Sequence, residues 1–292
     1  MAFNWQTFRT RTFTAIIFVA VMLVGLLWNH WSFLVLFSVI HFGCWWEYLR
    51  LIEKIYTSAF HIYIKLGLML LGYGLMLWFC GPAYNIAGFG IKDNFSLPVS
   101  AAGFILFVTG IFQKNRMELK LFGAAAWGLL YISLSWGLLM NMYEQVDILV
   151  YDTMYIIAAS HLPLAIIISI WINDTMAYIV GSIIGKRPLS EISPKKTWEG
   201  TIGGIILSIG VVGLIGFYGL KMEWLAIHIM IIAAIAAIAG TFGDLLESKL
   251  KRMAGLKDSG YIMPGHGGFL DRFDSLLLAT PFVWLYVTLL MH

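Results

Sequence analysis

Long apolar stretches recur along this chain and constrain its fold more than any other feature. A helix that crosses a bilayer needs about 20 mostly apolar residues, and a stretch of this kind returns about nine times. The chain is 60% hydrophobic and 12% charged, which is more apolar surface than a water-soluble domain of 292 residues can bury. We therefore predict an all-α, polytopic integral membrane protein. The predicted spans lie near residues 12–28, 31–49, 61–81, 98–113, 121–141, 155–180, 201–219, 223–244 and 272–291.

The positions of the basic residues predict how these spans are oriented. Short cytoplasmic loops collect Lys and Arg, whereas translocated loops do not. With a cytoplasmic N-terminus and nine spans, only Lys92 and Lys221 fall outside. With an even number of spans, every loop after the miscounted span would change sides, and the separation of basic residues would be lost. The residues placed inside are Arg9, Arg11, Arg50, Lys54, Lys65, Lys114, Arg116, Lys120, Lys186, Arg187, Lys195, Lys196, Lys249, Lys251, Arg252, Lys257 and Arg272.

Ionisable residues are unevenly distributed, and this divides the chain in two. Residues 1–170 carry few of them, so we predict an N-terminal transmembrane scaffold, followed by a C-terminal transmembrane catalytic region over residues 171–292 with its motifs on the cytoplasmic side. The main exception in the first part is Glu47. A local ion pair with Arg50 or Lys54 is the favoured interpretation for it, ahead of a catalytic role.

The first polar motif is the sequence WINDTMAY at residues 171–178. Asp174 and Tyr178 are four residues apart and so share a helix face. An Asp at membrane depth is costly unless it is paired or faces water or a metal ion, and we therefore expect Asp174 to belong to a binding site.

The second motif is SPKKTWEGTIGG at residues 193–204, which leads into a span. Ser193 or Thr197 can cap the helix, and Pro194 suits its first turn. The helix start, together with Lys195 and Lys196, predicts an anion cradle. The alternative is that the lysines serve topology or bind anionic lipid headgroups.

The third motif covers residues 243–275 and has the highest density of charge. Four polar residues share one face of a predicted helix, and three share a face of the next. Carboxylates held together at the edge of the lipid call for a divalent cation, and hard oxygen ligands near phosphate suggest Mg²⁺. The two sets are Asp244, Glu247, Ser248 and Lys251, and Asp271, Asp274 and Ser275.

Between these helices, residues 264–268 place three glycines around His266. Such a backbone can turn sharply and aim successive N–H groups at phosphate oxygens. The alternative for the whole third motif is an amphipathic surface loop with ordinary salt bridges. The mixture of acids, bases and glycines at helix ends favours a site.

These motifs resemble those of the phosphatidate cytidylyltransferases, also called CDP-diglyceride synthetases. The resemblance rests on SxLKRxxxxKDxGxxxPxHGGFxDRFD at residues 248–274, on DTxAY at 174–178 and on SPKKTxEG at 193–200. Met263 replaces the usual Leu, Ile or Phe, which is an apolar substitution of similar bulk. The resemblance implies transfer of CMP from CTP to phosphatidic acid, with Mg²⁺ and release of pyrophosphate.

Residue roles follow as expectations from this resemblance. Three carboxylates would hold one or two Mg²⁺ ions, with a monovalent cation as an option, and basic residues would bind the phosphates of CTP or of the lipid. A homodimer is compatible with the sequence, no nucleic-acid partner is expected, and the site would face the cytoplasm from the plasma (inner) membrane. The expected catalytic residues are Asp244, Asp271 and Asp274, which are also the metal ligands, with Lys251 and Arg272. The expected substrate-binding residues are Asp174, Ser193, Lys195, Lys196, Thr197, Ser248, Arg252, Lys257, His266, Gly267 and Gly268.

Three other functions are alternatives to this one. A CTP-dependent lipid kinase would need a base for a neutral hydroxyl group. A transporter for an anionic solute would place its site at the midplane, often between inverted repeats, whereas here the charges gather at one face and no repeat is evident. A purely structural membrane scaffold would tolerate the loss of Asp271.

Overall fold

The computed structural model describes residues 5–113, 119–143, 146–150, 153–157, 160–220, 223–261 and 267–291. Helices dominate this part of the chain, as the sequence predicts. The α-helices are α1 (Trp5–Leu27), α2 (His30–Ile55), α3 (Ile62–Trp78), α4 (Ile91–Phe112), α5 (Leu119–Gly128), α6 (Ser135–Met142), α7 (His161–Ile184), α8 (Trp198–Leu220), α9 (Glu223–Met253) and α10 (Leu270–Leu290), with a π-helical segment (Leu129–Leu134) between α5 and α6.

Seven helical segments in the described residues are long and apolar enough to cross a membrane. Two shorter apolar segments, Thr12–Leu27 and Ile62–Trp78, coincide with the first and third predicted spans. The all-α membrane class is therefore confirmed. The seven segments are His30–Ile55, Ile91–Phe112, Lys120–Met142, His161–Ile184, Trp198–Tyr218, Leu225–Met253 and Leu270–Leu290.

Two short antiparallel hairpins were not predicted. The first pairs β1 (Asn85–Ile86) with β2 (Phe89–Gly90), and the second pairs β3 (Val146–Val150) with β4 (Thr153–Ile157). The predicted start of a span near residue 155 is therefore wrong, because α7 begins only at His161. The strands β3 and β4 are rich in Val, Ile, Thr and Tyr, which suit a pleated surface as well as an apolar helix.

The chain forms two compact units. The first contains residues 1–141 and 250–273, and the second contains residues 142–249 and 274–292. Helices α9 and α10 each contribute residues to both units. The predicted functional division at residue 170 concerns activity rather than packing, and it stays a prediction.

In the first unit, α2 lies against the start of α10. The ring of Trp136 lies between Phe37 of α2 and Phe273 of α10, with centroid distances of 5.0 and 5.6 Å. On α2, the indole N–H of Trp45 donates to the hydroxyl of Ser133 at 2.8 Å. These contacts position α2, the helix that carries Glu47.

Helices α3 and α4 of the first unit touch through their backbones. A Cβ atom added to Gly67 would lie 2.5 Å from the backbone nitrogen of Phe107, and one added to Gly103 would lie 2.5 Å from that of Leu71. Small residues at helix contacts allow this close approach inside membranes. Glycine is therefore required on both sides of the α3–α4 contact.

Helices α7 and α8 of the second unit pack in the same way. A Cβ atom on Gly200 would lie 2.6 Å from the carbonyl oxygen of Ala177, and one on Gly204 would lie 2.7 Å from that of Asn173. This packing places the N-terminus of α8 close to the last turns of α7. The loop that joins α7 to α8 therefore lies at the end of the helix pair where α7 ends and α8 begins.

We predict that Gly103→Ala destabilises the protein and that Gly123→Ala does not. The added methyl group at residue 103 meets backbone atoms of α3, whereas a Cβ atom on Gly123 meets nothing within 4 Å. Overpacking of this kind costs about 1–3 kcal/mol. Thermal unfolding in detergent, monitored by size-exclusion chromatography, should show a lower midpoint for Gly103→Ala than for the wild-type protein. The midpoint of Gly123→Ala should be unchanged. Equal midpoints for the two variants would contradict the α3–α4 contact.

Candidate active site

Two clusters of hydrogen-bonded polar residues contain several of the predicted site residues, one cluster in each unit. The Asp244 cluster consists of Lys196, Asp244 and Ser248 in the second unit. The Asp271 cluster consists of Glu47, Lys251, Ser259, Gly268 and Asp271 in the first unit. Each cluster joins a lysine to a carboxylate.

The loop between α7 and α8 carries Lys196 and is internally hydrogen-bonded. The backbone N–H of Leu189 donates to the carbonyl of Lys196 at 2.7 Å, and that of Trp198 donates to the carbonyl of Arg187 at 3.0 Å. The carboxylate of Glu199 accepts the backbone N–H groups of Lys186 and Arg187 at 3.1 and 3.2 Å. This pairing holds the lysine-bearing loop in one conformation.

The start of α8 has the predicted N-cap, and of the two candidates, Ser193 and Thr197, the cap is Thr197. The hydroxyl of Thr197 accepts the backbone N–H of Gly200 at 3.1 Å, as an N-cap residue does. Pro194 does not lie in the first turn, because α8 begins at Trp198. Ser193 instead accepts the backbone N–H of Lys196 through its carbonyl at 3.0 Å, within the loop.

Asp244 is partly exposed and ion-paired. The ammonium group of Lys196 donates to Oδ2 of Asp244, and the two side chains are 28% and 27% exposed. The hydroxyl of Ser248, one turn later on α9, donates to Oδ1 at 3.2 Å. This contact confirms that Asp244 and Ser248 share a helix face.

Asp271 is less exposed and accepts hydrogen bonds on both oxygens. Lys251 donates to Oδ1 at 2.6 Å. Oδ2 accepts the backbone N–H and the hydroxyl of Ser259 at 2.8 and 2.9 Å, and the backbone N–H of Gly268 at 2.8 Å. A carboxylate has about four lone-pair positions, so one donor at Oδ1 and up to three at Oδ2 use most of its capacity.

Glu47 joins the Asp271 cluster from α2, and the sequence interpretation of this residue is wrong. Its side chain is only 3% exposed and accepts the backbone N–H groups of Phe269 and Leu270 at 3.0 and 2.9 Å. It also accepts the hydroxyl of Ser259 at 2.7 Å. Among the described residues it has no ion pair with Arg50 or Lys54, which both lie exposed on α2.

The predicted ion pair of Glu47 rests only on the spacing of charges along α2. Arg50 is within helical reach of Glu47, but a helix interior offers a carboxylate no free N–H group, whereas the start of another helix does. Ser259 and Glu199 were also not assigned roles, although both belong to the motifs. The signal that could have identified Glu47 is its position between apolar residues in a predicted span.

The other predicted site residues are more scattered. Asp174 is exposed on α7 and has a long contact of 3.5 Å with the amide of Asn173. Asp274 is buried on α10. Asp244 and Asp274 belong to the second unit and Asp271 to the first, so the convergence of the three carboxylates stays a prediction. The exposed basic residues are Lys195, Arg252, Lys257 and Arg272, and His266 lies outside the described residues.

Arg252 has a structural partner at the end of α9. The helix ends at Met253, and two residues later Gly255 has φ of +68°, while the backbone N–H of Leu256 donates to the carbonyl of Lys251 at 2.8 Å. The guanidinium of Arg252 donates to the carbonyl of Leu256 at 3.1 Å. Its exposed side chain leaves the remaining donors accessible to an anion.

The donor sets differ in how well they fit Mg²⁺. No group of three or more His, Cys, Asp or Glu side chains in the described ranges could form a protein-only metal site. Magnesium is commonly held by one or two carboxylates together with substrate phosphates and water. Asp244 fits that arrangement, because its two donors among the described residues leave lone pairs available, whereas Asp271 already accepts Lys251 and two backbone N–H groups.

Comparison with known proteins gives a consistent result. Residues 9–290 match the model of a family described as the cytidylyltransferase family. A protein of Synechocystis named phosphatidate cytidylyltransferase is 44% identical over 122 residues, which are 42% of this chain and 41% of that protein. Proteins of the same name are 35% identical in Staphylococcus saprophyticus, over 67% of this chain and 70% of that protein, and 46% identical in Bacillus subtilis, over 41% of this chain and 45% of that protein.

We predict that Gly267→Ala is more destabilising than Gly255→Ala. Both residues have positive φ, +81° and +68°, so both substitutions carry a backbone penalty of about 1–2 kcal/mol. Only at Gly267 would the added Cβ atom meet a side chain, at 2.5 Å from Oδ2 of Asp271. Unfolding midpoints in detergent should therefore be lower for Gly267→Ala, and identical midpoints would rule out the tight fit between this glycine and Asp271.

Proposed function

The chain belongs to the cytidylyltransferase family, and we propose that it transfers CMP from CTP to phosphatidic acid, giving CDP-diacylglycerol and pyrophosphate. The observation that carries the proposal is the family match over residues 9–290. The names of the relatives in Synechocystis, Staphylococcus saprophyticus and Bacillus subtilis support the choice of substrate. The aligned segments cover between 41% and 70% of those proteins.

The chemistry of this transfer requires positive charge more than it requires a base. A phosphate monoester has a second pKa of about 6, so phosphatidic acid is largely dianionic near pH 7. Its oxygen attacks the α-phosphorus of CTP, a new P–O bond forms, and the bond to the bridging oxygen of the β-phosphate breaks. The leaving pyrophosphate takes the bonding electron pair, and the site must bring several anionic groups together.

In our proposal, Lys196 and Lys251 exchange a carboxylate for a phosphate oxygen during the reaction. Each lysine is held at a carboxylate in the structure, Lys196 at Asp244 and Lys251 at Asp271. This arrangement keeps the ammonium groups oriented and partly desolvated before substrate arrives, which reduces the cost of ordering them. The exposed side chains of Lys195, Arg252, Lys257 and Arg272 supply further phosphate contacts.

We assign Mg²⁺ to Asp244 first. The partly exposed carboxylate of Asp244 has lone pairs available next to the hydroxyl of Ser248. Asp271 and Asp274 complete the predicted ligand set, with one or two ions. When bound, the ion neutralises charge on the reacting phosphates and on pyrophosphate. The loop of His266, Gly267 and Gly268, with Ser193 and Thr197 at the start of α8 and Asp174 on α7, completes the proposed substrate contacts.

The membrane topology forms part of the same proposal. We infer nine spans, with the N-terminus and the site on the cytoplasmic side of the inner membrane. Supporting this are the seven long apolar segments, the two shorter ones, and the basic residues that the charge pattern places inside. A cytosolic nucleotide such as CTP then reaches the site directly, and the lipid reaches it from the bilayer.

Labelled CTP tests the proposal and separates it from a CTP-dependent lipid kinase. Purified protein in detergent with phosphatidic acid and Mg²⁺ should incorporate label from the α-phosphate of CTP into lipid, and incorporation should stop when EDTA is added and resume with excess Mg²⁺. Asp244→Asn should lower this activity about 100-fold or more, because it removes the charged ligand. Asp93→Asn, at an exposed carboxylate at the start of α4, should retain activity.

Two results would contradict the proposal. Label appearing in lipid from the γ-phosphate instead of the α-phosphate would identify a kinase. Full activity of Asp244→Asn, in protein that is folded as judged by its unfolding midpoint, would remove Asp244 from the reaction.

A further inference from the structure

The carboxylate of Glu47 caps a helix that lies far away in sequence. Glu47 is on α2, more than 200 residues before Phe269 and Leu270, whose N–H groups it accepts at 3.0 and 2.9 Å. Leu270 is the first residue of α10 and Phe269 directly precedes it, and N–H groups at a helix start lack partners within the helix. A negative charge at a helix N-terminus is also stabilised by the helix dipole. The buried charge of Glu47 is thus balanced by N–H and O–H donors.

Three glycines make space for this contact. Gly260 and Gly268 lie so close to Glu47 that a Cβ atom on either would meet its carboxylate. One turn earlier on α2, a Cβ atom on Gly43 would meet the ring of Phe269. Any side chain at these positions would push α2 away from the start of α10. The carboxylate of Glu47 is therefore held between two backbone segments.

Ser259 connects Glu47 to Asp271. Its hydroxyl oxygen lies 2.7 Å from Oε2 of Glu47 and 2.9 Å from Oδ2 of Asp271. A serine hydroxyl has a single proton, so it donates to only one of these carboxylates at a time. The backbone N–H of Ser259 donates to Asp271 at 2.8 Å in addition. A change at Glu47 must therefore shift the hydrogen bonds that orient Asp271.

We propose that Glu47 is a positioning residue for cytidylyl transfer: by fixing Ser259 and the first turn of α10, it orients Asp271 and the Lys251 that Asp271 holds. The inference rests on the proposed function and extends it to a helix predicted to be scaffold. Glu47 touches no reacting group. Its effect on turnover passes through Asp271 and Lys251, which are paired at 2.6 Å.

The test compares two carboxylates on α2. Glu47→Gln keeps the shape of the side chain but removes the charge and presents an N–H₂ group to donors, and it should lower kcat about 10- to 100-fold. The KM for CTP should stay within about threefold, because no substrate contact is lost. Glu53→Gln is the matched control, since Glu53 also accepts a backbone N–H, from Phe60, and pairs with Lys65. The Glu53→Gln variant should lose thermal stability but retain wild-type kcat.

Two further measurements identify the route of the effect. Ser259→Ala removes the shared hydroxyl group, and the double variant with Glu47→Gln should be no slower than Glu47→Gln alone. The rate at which acetic anhydride modifies Lys251, measured by mass spectrometry relative to exposed Lys249, should rise about threefold or more in Glu47→Gln, because the ion pair loosens. It should not rise in Glu53→Gln.

The outcomes separate this inference from the proposed function. Wild-type turnover in Glu47→Gln, an equal loss in Glu53→Gln, or losses that multiply in the double variant would overturn the positioning role. If Glu47→Gln does not fold, Ser259→Ala decides instead. Wild-type turnover in Ser259→Ala, together with an unchanged rate of Lys251 modification by acetic anhydride, would then overturn the positioning role. If the wild-type protein transfers no CMP, the proposed function fails, and the Lys251 rate still decides whether Glu47 orients Asp271.

Discussion

A carboxylate that is removed from water must find donors or an opposite charge, and this requirement organises the Asp271 cluster. Burying an ionised group without compensation is prohibitively costly in a protein interior. Glu47 meets the requirement with two N–H groups at the start of α10, and Asp271 meets it with a lysine and two backbone N–H groups. The hydroxyl group of Ser259 lies between the two carboxylates and donates to one of them at a time. Ser259 and the backbone N–H groups of residues 268–270 are thereby held by the same pair of carboxylates.

The Asp244 cluster meets the same requirement in a more open way. Its ion pair with Lys196 is about a quarter exposed, and in the part of the chain that the structure describes Asp244 has two donors. A carboxylate with lone pairs available exchanges partners more readily than Asp271, which holds a lysine and two backbone N–H groups. In the proposed reaction both lysines leave their carboxylates, and the two backbone N–H groups that remain on Asp271 keep it oriented.

The sequence predicts the membrane class and most helices because apolar length is a strong and local signal. It also predicts the shared face of Asp244 and Ser248 and the cap at Thr197, which depend only on spacing along one helix. It fails at the β3–β4 hairpin, whose β-branched residues suit a strand or an apolar helix equally. It fails at Glu47 because contacts over more than 200 residues leave no trace in local spacing.

The most direct test of this account is hydrogen exchange at the start of α10. In a helix without a cap, the first N–H groups exchange quickly, because they lack partners. The account predicts that the amides of Phe269 and Leu270 are strongly protected in the wild-type protein and lose this protection in Glu47→Gln, while amides in the middle of α10 keep theirs. Rapid exchange of both amides in the wild-type protein, or protection that is unchanged in the variant, would show that Glu47 does not cap this helix.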